Sequence, residues 1–499
     1  MYKNIVVLGG GTAGWMSAVY IAKKWAHKNF RIQVIESDAI GTIGVGEGTV
    51  PSIADFFDAL GIPEHEWMPK CNATYKNGIR FKQWSSVDGH EDYFHPFYSE
   101  LDAFHKQALL TSIALRTQGF NTYAHPDVFS VVSKLDQEDK SPISSENYLF
   151  KSAYAYHFDA GLLADFLKSK AIELGVEHTV ATISDVKLDN TGAIASIISN
   201  DGTEFLGDLF IDCSGFKSML LGRALGVEYI SFNDTLLNDA AVTVATEMDS
   251  SIPSATYSTA LSSGWAWQIP LTHRYGNGYV YSSKYISPEQ ATIELLEHLN
   301  LPEGTPVNHV KMRVGRFAKG WEKNCAALGL AQGFVEPLEA TALHFVTQSV
   351  IDLVSAIEDA NYSDANRDIY NKKLEARFTS TRDYIELHYL ANSRTDSKYW
   401  HAARSFTPNR RLQRLINAWQ RGENIAHVLN EEKVSLQLFS LEAWVYLLAG
   451  KGFYSTTNER TLKVAPDNVN VNIERIKQFV NISATHFKSH KLSLENLKP

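Results

Sequence analysis

The chain lacks the residues that mark several common protein classes. Its 499 residues include only 3 cysteines, Cys71, Cys213 and Cys325, and no CxxC pair. This scarcity excludes a disulfide scaffold and argues against a thiolate zinc site or a redox dithiol, so we expect no metal centre. No apolar run reaches the roughly 18 residues of a membrane span, and the N-terminus lacks the pattern of a signal peptide. We therefore expect a cytoplasmic protein.

An excess of basic residues is also missing. Lys and Arg number 47 against 56 Asp and Glu, which gives a net charge of −9. Nucleic-acid binders usually carry the opposite balance, so we expect no nucleic-acid partner. The composition is otherwise that of a globular protein, with 44% hydrophobic and 21% charged residues. At about 150 residues per domain the length suggests roughly three units, although large α/β enzymes often interleave two modules along one chain.

The first forty residues carry a dinucleotide-binding pattern. Its parts follow in order: a strand at Asn4–Leu8, the loop of Gly9, Gly11, Thr12, Ala13 and Gly14, a helix at Trp15–Lys24, a strand at Ile32–Ile35, and Glu36. The first glycine permits a tight turn, the second lets the backbone approach a pyrophosphate, and the third lets the helix pack on the strand. The helix N-terminus then faces the phosphates and the acid faces the ribose.

The choice between FAD and NAD(P) depends on a later segment. Residues 208–216, DLFIDCSGF, resemble the strand of FAD-binding flavoproteins that returns to the nucleotide, and they make Asp212 a further candidate ligand. The chain contains one GxGxxG motif, so a second Rossmann unit for NAD(P)H is not evident. A flavoenzyme of this kind needs electrons from elsewhere, which predicts a separate NAD(P)H-dependent flavin reductase as partner.

Several further segments together resemble one enzyme family. They are GVGEGTVPS at 44–52, CNATYKNGIRF at 71–81, HFDAGLLADFL at 157–167, GWAWQIP at 264–270, GYVYSS at 278–283 and FVEPLEAT at 334–341. These match, in order, motifs of the tryptophan-halogenase family of flavin-dependent halogenases. The match is weaker in the last third, where RTDSKYW at 394–400 and LLAGKGF at 447–453 are recognisable.

The resemblance implies a fold class and a cofactor. The fold is an α/β, FAD-binding Rossmann-like fold of the flavoprotein monooxygenase type, with an interleaved substrate-side sheet and a C-terminal helical region. The FAD module would occupy residues 1–345, in pieces at about 1–80, 155–235 and 285–345. Segments 81–154 and 238–283 would form the substrate side, and residues 346–499 would close the substrate pocket. Gly46 and Glu47 match the segment that covers the flavin.

The resemblance also implies a reaction and its catalytic residues. Reduced FAD, O2 and a halide ion give hypohalous acid, which then halogenates an aromatic ring. Lys76 matches the lysine that holds this oxidant, as an ammonium or as a haloamine. Glu339 matches the glutamate that orients the oxidant and accepts the proton of the arenium ion. Trp265, Trp267 and Pro270 match the WxWxIP motif, which keeps the organic substrate away from the flavin.

The halide site departs from the family pattern. Many tryptophan halogenases continue from the glutamate with Ser-Thr-Gly, whose amides help to hold chloride, whereas Glu339 is followed here by Ala340, Thr341 and Ala342. The amides of Thr341 and Ala342 remain candidates for halide binding, but a Cβ restricts the backbone where the family has glycine. We therefore expect a preference for bromide or iodide over chloride.

The substrate side departs further. Phe94 to Phe97 resembles the segment that sandwiches the arene, so His95 and Phe97 are candidates for stacking on a flat ring. In tryptophan halogenases a Tyr-Tyr pair helps to hold the amino-acid backbone, whereas this chain has Trp444 and Val445. We expect a small, electron-rich aromatic such as an indole or a phenol. Homodimers are common in the family, but nothing in the sequence fixes the oligomeric state.

Each of these residues also has an ordinary structural interpretation. Two tryptophans two positions apart on a strand share one face and are usually core. A lone lysine is usually a solvated charge, Glu339 could simply begin a helix, and His95 and Trp444 could be core residues. The alternative functions are a flavin-dependent aromatic hydroxylase, a flavin reductase or dehydrogenase, and a non-catalytic flavoprotein.

Overall fold

The computed structural model describes residues 2–38, 46–454 and 471–497. The strands are β1 Asn4–Leu8, β2 Arg31–Glu36, β3 Glu47–Gly48, β4 Thr74–Lys76, β5 Gly78–Lys82, β6 Asp92–Pro96, β7 Lys140–Ser144, β8 Ala155–Phe158, β9 Glu177–Val180, β10 Ile183–Leu188, β11 Ile194–Ser199, β12 Glu204–Leu206, β13 Leu209–Asp212, β14 Tyr229–Ser231, β15 Ala240–Glu247, β16 Ala255–Leu261, β17 Gly264–Pro270, β18 Arg274–Tyr281, β19 Asn308–Lys311, β20 Gly315–Phe317, β21 Trp321–Glu322, β22 Cys325–Ala327, β23 Gly333–Phe334 and β24 Phe487–Ser489.

The helices fill much of the second half of the chain. They are α1 Thr12–Lys24, α2 Ile53–Leu60, α3 Glu64–Trp67, α4 Glu100–Ala103, α5 Lys106–Thr117, α6 Val131–Gln137, α7 Ala160–Glu173, α8 Pro288–His298, α9 Ala342–Asp359, α10 Arg367–Leu390, α11 Lys398–Ala403, α12 Arg410–Arg421, α13 Ile425–Glu431, α14 Leu441–Gly450, α15 Ile473–Ala484 and α16 His490–Glu495. None of the helices in the described ranges is long and apolar enough to cross a bilayer.

Tertiary contacts divide the chain into two compact units, each assembled from three separate segments. Unit 1 comprises Met1–Ala73, Phe158–Asn233 and Lys311–Thr379, and unit 2 comprises Thr74–His157, Asp234–Val310 and Ser380–Pro499. The module boundaries that we derived from the motifs stay a prediction.

Unit 1 is built on a mainly parallel sheet with β1 near its centre and one antiparallel edge strand, β21. The six strands lie in the order β21-β22-β13-β1-β2-β9, and β1 runs parallel to both β2 and β13. Four of its five residues are buried, as expected for a strand covered on both faces. The register pairs Leu8 with Asp212 on one side and with Ile35 on the other. The carboxyl ends of all three strands therefore meet at one sheet edge, where α/β proteins bind nucleotides.

Unit 2 contains a larger, mainly antiparallel sheet. Its seven strands lie in the order β19-β15-β18-β17-β16-β5-β6. The strand β17 carries the sequence GWAWQIP and pairs antiparallel with β16 and β18. At the far edge β5 runs parallel to β16 and pairs antiparallel with β6. This arrangement places the segment after Lys76 and the FHPF segment on adjacent strands.

The helices of unit 2 share an extensive apolar core. Residues from α5, α6, α12, α13, α14 and α15 contribute to it, including Trp419 and Trp444. In α12 the apolar positions Leu412, Leu415, Ile416 and Trp419 recur at three- and four-residue spacing and are all buried, which is the pattern of an amphipathic helix. The helical character predicted after residue 346 agrees with these elements.

Candidate functional site

The loop between β1 and α1 has the backbone that a pyrophosphate requires. Gly9 has a φ of 119°, and a Cβ there would lie 2.3 Å from the carbonyl oxygen of Cys213. A Cβ on Gly14 would lie 1.9 Å from the Gly9 carbonyl oxygen, so only glycine lets α1 start this close to the strand. In contrast, no described atom lies within 4 Å of the Cβ position of Gly11. The first-turn amides of α1, which have no acceptor within the helix, border this open space.

Glu36 ends β2 beside this loop. Its carboxylate accepts a hydrogen bond of 2.8 Å from Lys168 Nζ and lies 2.6 Å from His178 Nε2. Burial raises the pKa of Glu36, but the hydrogen bonds and charges of these two partners outweigh it and hold the pKa below its usual value. A Cβ on Gly10 would fall 1.6 Å from Glu36 Oε2, so the ionised carboxylate overlies the loop. A carboxylate at this place can accept hydrogen bonds from ribose hydroxyls.

Asp212 lies at the same sheet edge, but its carboxylate is hydrogen-bonded to nearby groups of the protein. Its buried carboxylate accepts hydrogen bonds from the amide and hydroxyl of Ser214 and from the amides of Leu220 and Leu221, at 2.6–3.0 Å. These bonds fix the turn after β13, which returns to the glycine loop because the Cys213 amide donates to the Leu8 carbonyl at 2.8 Å. Asp212 therefore shapes the loop, and its direct contact with a cofactor stays a prediction.

The segment that resembles the family's flavin cover is only partly described. Its first two residues, 44 and 45, lie outside the described residues, while Gly46 has a φ of 105°. Burial, reinforced by the negative charge of Asp159, raises the pKa of Glu47 to about 7. Asp159 belongs to the HFDAG motif, where it caps α7 by accepting hydrogen bonds from the amides of Gly161 and Leu162.

Lys76 is fully buried, which is not the state of an ordinary surface lysine. It ends β4, where it pairs with Ala155 of β8. Its Nζ lies 5.6 Å from the centroid of the Phe97 ring. Phe97 is held there by its amide, which donates to the Asn77 carbonyl at 3.1 Å. The sequence next to Lys76 thus places an aromatic face within cation–π distance of the ammonium.

His95 and Trp444 belong to one buried aromatic cluster. His95 Nε2 lies 3.3 Å from the Tyr384 hydroxyl, which donates in turn to the Ala443 carbonyl at 3.1 Å. The Tyr384 ring stacks on Phe439 at 3.7 Å and meets Trp444 edge to face at 4.9 Å. Trp444 is 1% exposed, and its Nε1 has no hydrogen-bond partner in the described part of the chain. Both residues fit a packing role, and substrate contact stays a prediction.

The two tryptophans of GWAWQIP differ in burial. Trp265 is 2% exposed, Trp267 is half-buried, and their ring centroids are 6.2 Å apart. The Trp267 indole lies over Gly278, where a Cβ would come within 2.2 Å of the ring. This contact explains why GYVYSS begins with glycine. At the end of the strand, the Pro270 carbonyl accepts a hydrogen bond of 2.7 Å from the Thr74 hydroxyl, which ties β17 to the strand of Lys76.

Glu339 lies in unit 1, in a short 3-10 helix of residues Pro337–Glu339, and it is 3% exposed. Ala340 follows with a φ of 55°, and α9 begins at Ala342 after Thr341. The Cβ of Ala342 therefore sits in ordinary helical backbone, which any residue adopts, so the predicted restriction of the backbone at this position is wrong. The left-handed conformation that favours glycine occurs at Ala340 instead.

Two residues close to Glu339 along the chain were not predicted as site residues from the sequence. Glu336 is fully buried three residues earlier, so the motif carries two buried carboxylates. His344, in the first turn of α9, lies 2.8 Å through its Nδ1 from the Ser52 hydroxyl at the end of the flavin-cover segment. Burial, with the charge of Arg377, lowers the pKa of His344 to about 4, so the ring is neutral at pH 7. The sequence signal that could have identified Glu336 was the presence of two acids in FVEPLEAT. No such signal marked His344.

A cavity of about 170 Å³ opens in unit 2 on the same ring that faces Lys76. Its walls are mainly apolar and include Phe97, Leu109, Phe129, Leu441, Val445 and Tyr446. Two charged residues of the lining, Lys106 and Glu442, form an ion pair with each other. Further polar groups of the lining belong to Ser99, Asp102, His105 and Ser440. A mainly apolar cavity with a few polar positions suits an aromatic molecule.

Comparison with known proteins decides the family. A family model described as tryptophan halogenase matches residues 4–467. The chain belongs to the tryptophan halogenase family. A 7-chloro-L-tryptophan 6-halogenase, KtzR, from Kutzneria sp. (strain 744) is 38% identical to this halogenase over 83% of this chain and 84% of its own. A tryptophan 7-halogenase, RebH, from Lentzea aerocolonigenes is 35% identical over 84% and 82%.

Solved structures agree with this assignment. A flavin-dependent halogenase from Xanthomonas campestris, 30% identical, superposes with a TM-score of 0.87 and covers 100% of this chain and 99% of its own. The tryptophan 6-halogenase SttH from Streptomyces toxytricini, 31% identical, gives 0.85 with 99% coverage of both chains. The chain is thus a flavin-dependent halogenating enzyme, and the predicted fold class and enzyme class are confirmed.

The halogenase brings its predicted residues together in separate sets. In unit 1 the glycine loop, Glu36 and the turn of Asp212 share one sheet edge. In unit 2 Lys76 and Phe97 are in contact, while His95 and Trp444 share an aromatic cluster. Among the described residues, no group of three or more His, Cys, Asp or Glu could hold a metal ion. The chemical role of each residue stays a prediction.

The contact of Trp267 with Gly278 gives a first test. We expect Gly278→Ala to destabilise the halogenase by roughly 1–3 kcal/mol, because the added methyl group must displace the indole. Denaturant unfolding measures the change. In a Trp267→Ala background the same substitution should cost much less. An equal cost in both backgrounds would show that the indole is not the source of the strain.

The raised pKa of Glu47 gives a second test. The folded state holds this proton more tightly than the unfolded state, so the group's stabilising contribution is complete below pH 4.5 and is lost as the pH rises to about 7. We expect Glu47→Gln to gain stability relative to the native chain over this interval, by roughly 1–3 kcal/mol. Thermal unfolding at half-unit pH steps measures the difference. A difference that does not vary with pH would contradict the raised pKa.

Proposed function

We propose that this halogenase uses reduced FAD, O2 and a halide ion to halogenate an electron-rich aromatic ring, with Lys76 and Glu339 as its catalytic residues. The observation that carries the proposal is the burial of Lys76 against the Phe97 ring at the wall of an apolar cavity. Lysine is almost never fully buried in a folded protein, so a lysine kept beside an aromatic surface points to a function for its amino group.

The glycine loop of unit 1 fits FAD. The close approaches at Gly9 and Gly14, the open space at Gly11 and the ionised Glu36 are the features that a bound dinucleotide needs. The amides of Thr12 and Ala13 would hold the pyrophosphate, and Glu36 would accept from the ribose. When bound, reduced FAD supplies the electrons that convert O2 and halide into hypohalous acid. A separate NAD(P)H-dependent flavin reductase provides the reduced cofactor, since the chain has one GxGxxG motif.

Lys76 would act on this oxidant. An ammonium donates a hydrogen bond to the oxygen of hypohalous acid and draws electron density from the halogen, which becomes a better electrophile. The low-dielectric surroundings of a buried group strengthen this polarisation. A neutral amine could instead form a haloamine, which is a covalent form of the same delivery.

Glu339 would act on the ring that is being halogenated. Attack of the electrophile creates a cationic arenium ion, and a buried carboxylate stabilises this charge as it develops. The same carboxylate then accepts the proton that leaves the ring, as a general base. Its buried position keeps competing water away from this step.

The substrate that fits best is an indole or phenol derivative. The relatives reported above are named as tryptophan halogenases, which favours an indole ring. The cavity wall offers Phe97 for stacking. Where the family carries two tyrosines that hold the amino-acid backbone, this chain has the buried Trp444 and Val445, which present no phenol hydroxyl. We therefore propose that the enzyme does not depend on a free amino-acid group.

The catalytic assignment predicts the products of two variants. With FAD, a flavin reductase, NADH, O2 and bromide, the native chain should brominate members of an indole and phenol panel. Lys76→Ala and Glu339→Gln should each lower bromination by about a hundredfold or more, while flavin oxidation continues. Mass spectrometry detects the products, and catalase removes free peroxide.

Each other outcome of this assay has a definite meaning. Hydroxylated products from the native chain would favour the aromatic hydroxylase. Full bromination by Lys76→Ala would contradict the catalytic role of the lysine. Rapid reduction of bound FAD by NADH without reductase would contradict the need for a partner.

We also propose that bromide or iodide is preferred over chloride. The anion site would comprise the amides of Thr341 and Ala342 at the N-terminus of α9, an 18-residue helix. Bromide and iodide are oxidised more readily than chloride, so they react first unless the site selects chloride. With equimolar chloride and bromide, brominated product should dominate. A majority of chlorinated product would contradict this preference.

A further inference from the structure

A histidine from the last described helix contacts the strand of Lys76. Strand β4 pairs with β8 along one edge. At its other edge the Tyr75 amide donates a hydrogen bond of 3.1 Å to His490 Nε2. His490 begins α16 and is fully buried. A single side chain thus satisfies the backbone donor that immediately precedes Lys76.

The hydrogen bonds of His490 fix its protonation. Nε2 accepts from an amide, so it carries no proton, and Nδ1 must be the donor in its 2.9 Å contact with the Ile252 carbonyl. Protonation of Nε2 would break the bond to Tyr75. Burial lowers the pKa of His490 to about 4, which keeps the ring neutral at physiological pH. The contact with β4 is therefore maintained under assay conditions.

A second histidine secures the opposite edge of the same strand. The Thr74 hydroxyl donates to the Pro270 carbonyl, so it must accept from His157 Nδ1 at 3.0 Å. His157 Nε2 then accepts from the Thr256 hydroxyl at 2.8 Å. This ring is also fully buried, and burial holds the pKa of His157 well below its usual value, so the ring is neutral. Lys76 consequently ends a three-residue strand that imidazoles hold from both edges.

We propose that His490, carried by the C-terminal segment Phe487–Glu495, is a positioning residue for Lys76. The segment is anchored independently of β4, because β24 pairs with β7 and the Ser141 hydroxyl lies 2.7 Å from that of Ser493 in α16. It also lies beyond residue 467, where the family match ends. The inference rests on the proposed role of Lys76.

We expect variants of His490 to lose coupling, which is the amount of halogenated product formed per flavin oxidised. They should still produce the oxidant. If His490 only positions the lysine, then His490→Phe leaves the rate of flavin oxidation unchanged. The halogenated product formed per flavin oxidised should fall about ten- to a hundredfold, because a misplaced catalytic group loses its near-attack geometry. The missing halogen should be recovered as free hypohalous acid with a diketone trap. Hydrogen exchange of peptides that contain Tyr75 should become faster.

Three variants make the test specific. Ser493→Ala weakens the anchoring of α16 but leaves the His490 ring in place, so its coupling should remain native even if its melting temperature falls. His490→Gln retains a neutral acceptor and should restore much of the coupling. His490→Asn, whose acceptor is too short to reach Tyr75, replaces the phenylalanine variant if that variant does not fold.

The results separate the two proposals. Native coupling in His490→Phe or His490→Asn, or an equal loss in Ser493→Ala, would overturn the positioning role. Native coupling in Lys76→Ala would overturn the role of the lysine itself, and the inference about His490 would fall with it. Loss of coupling in Lys76→Ala and His490→Phe, with rescue by glutamine, supports both.

Discussion

The burial of the Lys76 side chain is the constraint around which much of unit 2 is organised. A lysine without exposure can keep one position only if its backbone is held firmly. The short strand β4 cannot supply this by itself, since three residues make few ladder bonds. The surrounding chain supplies the rest: Pro270 accepts from Thr74, His490 accepts from Tyr75, and Asn77 holds Phe97 near the lysine Nζ. Motifs that lie far apart in the sequence are therefore parts of one support.

In unit 1 the constraint is different, because backbone atoms rather than side chains must come close to a ligand. This close approach depends on the absence of Cβ atoms. A Cβ added at Gly14 would lie 1.9 Å from a carbonyl oxygen, and one added at Gly9 would lie 2.3 Å from another. The buried carboxylate of Asp212 stiffens the turn that packs on these glycines. An alanine at Gly9 or Gly14 would separate the helix from the strand and move its amides, so the spacing of these two glycines is a geometric requirement.

The glycine loop of unit 1 and the support of Lys76 in unit 2 were not equally predictable from the sequence. The glycine loop could be predicted because its elements are contiguous and each residue has a local reason, and β1 begins and ends where the pattern places it. The family motifs identified Lys76 and Glu339 as candidates, but not their burial. His490 could not be predicted, because its partner lies 415 positions away and no local pattern links them. The backbone constraint after Glu339 was expected at Ala342 but lies at Ala340. The left-handed conformation of Ala340 could not be predicted, because it depends on how the 3-10 helix before it joins α9.

Titratable groups in the two units have opposite effects on how the stability of the protein depends on pH. His344 and His490 have pKa values lowered to about 4, so their stabilising effect is lost as the pH falls from 6.5 towards 4. Glu47 and Asp102 have pKa values raised to about 7 by burial, so their effect is lost as the pH rises from about 4 to 7. Between pH 4.5 and 6.5 the two trends partly cancel. Over this interval the neutral forms of His344 and His490 therefore cost less net stability than the histidine pKa values alone imply.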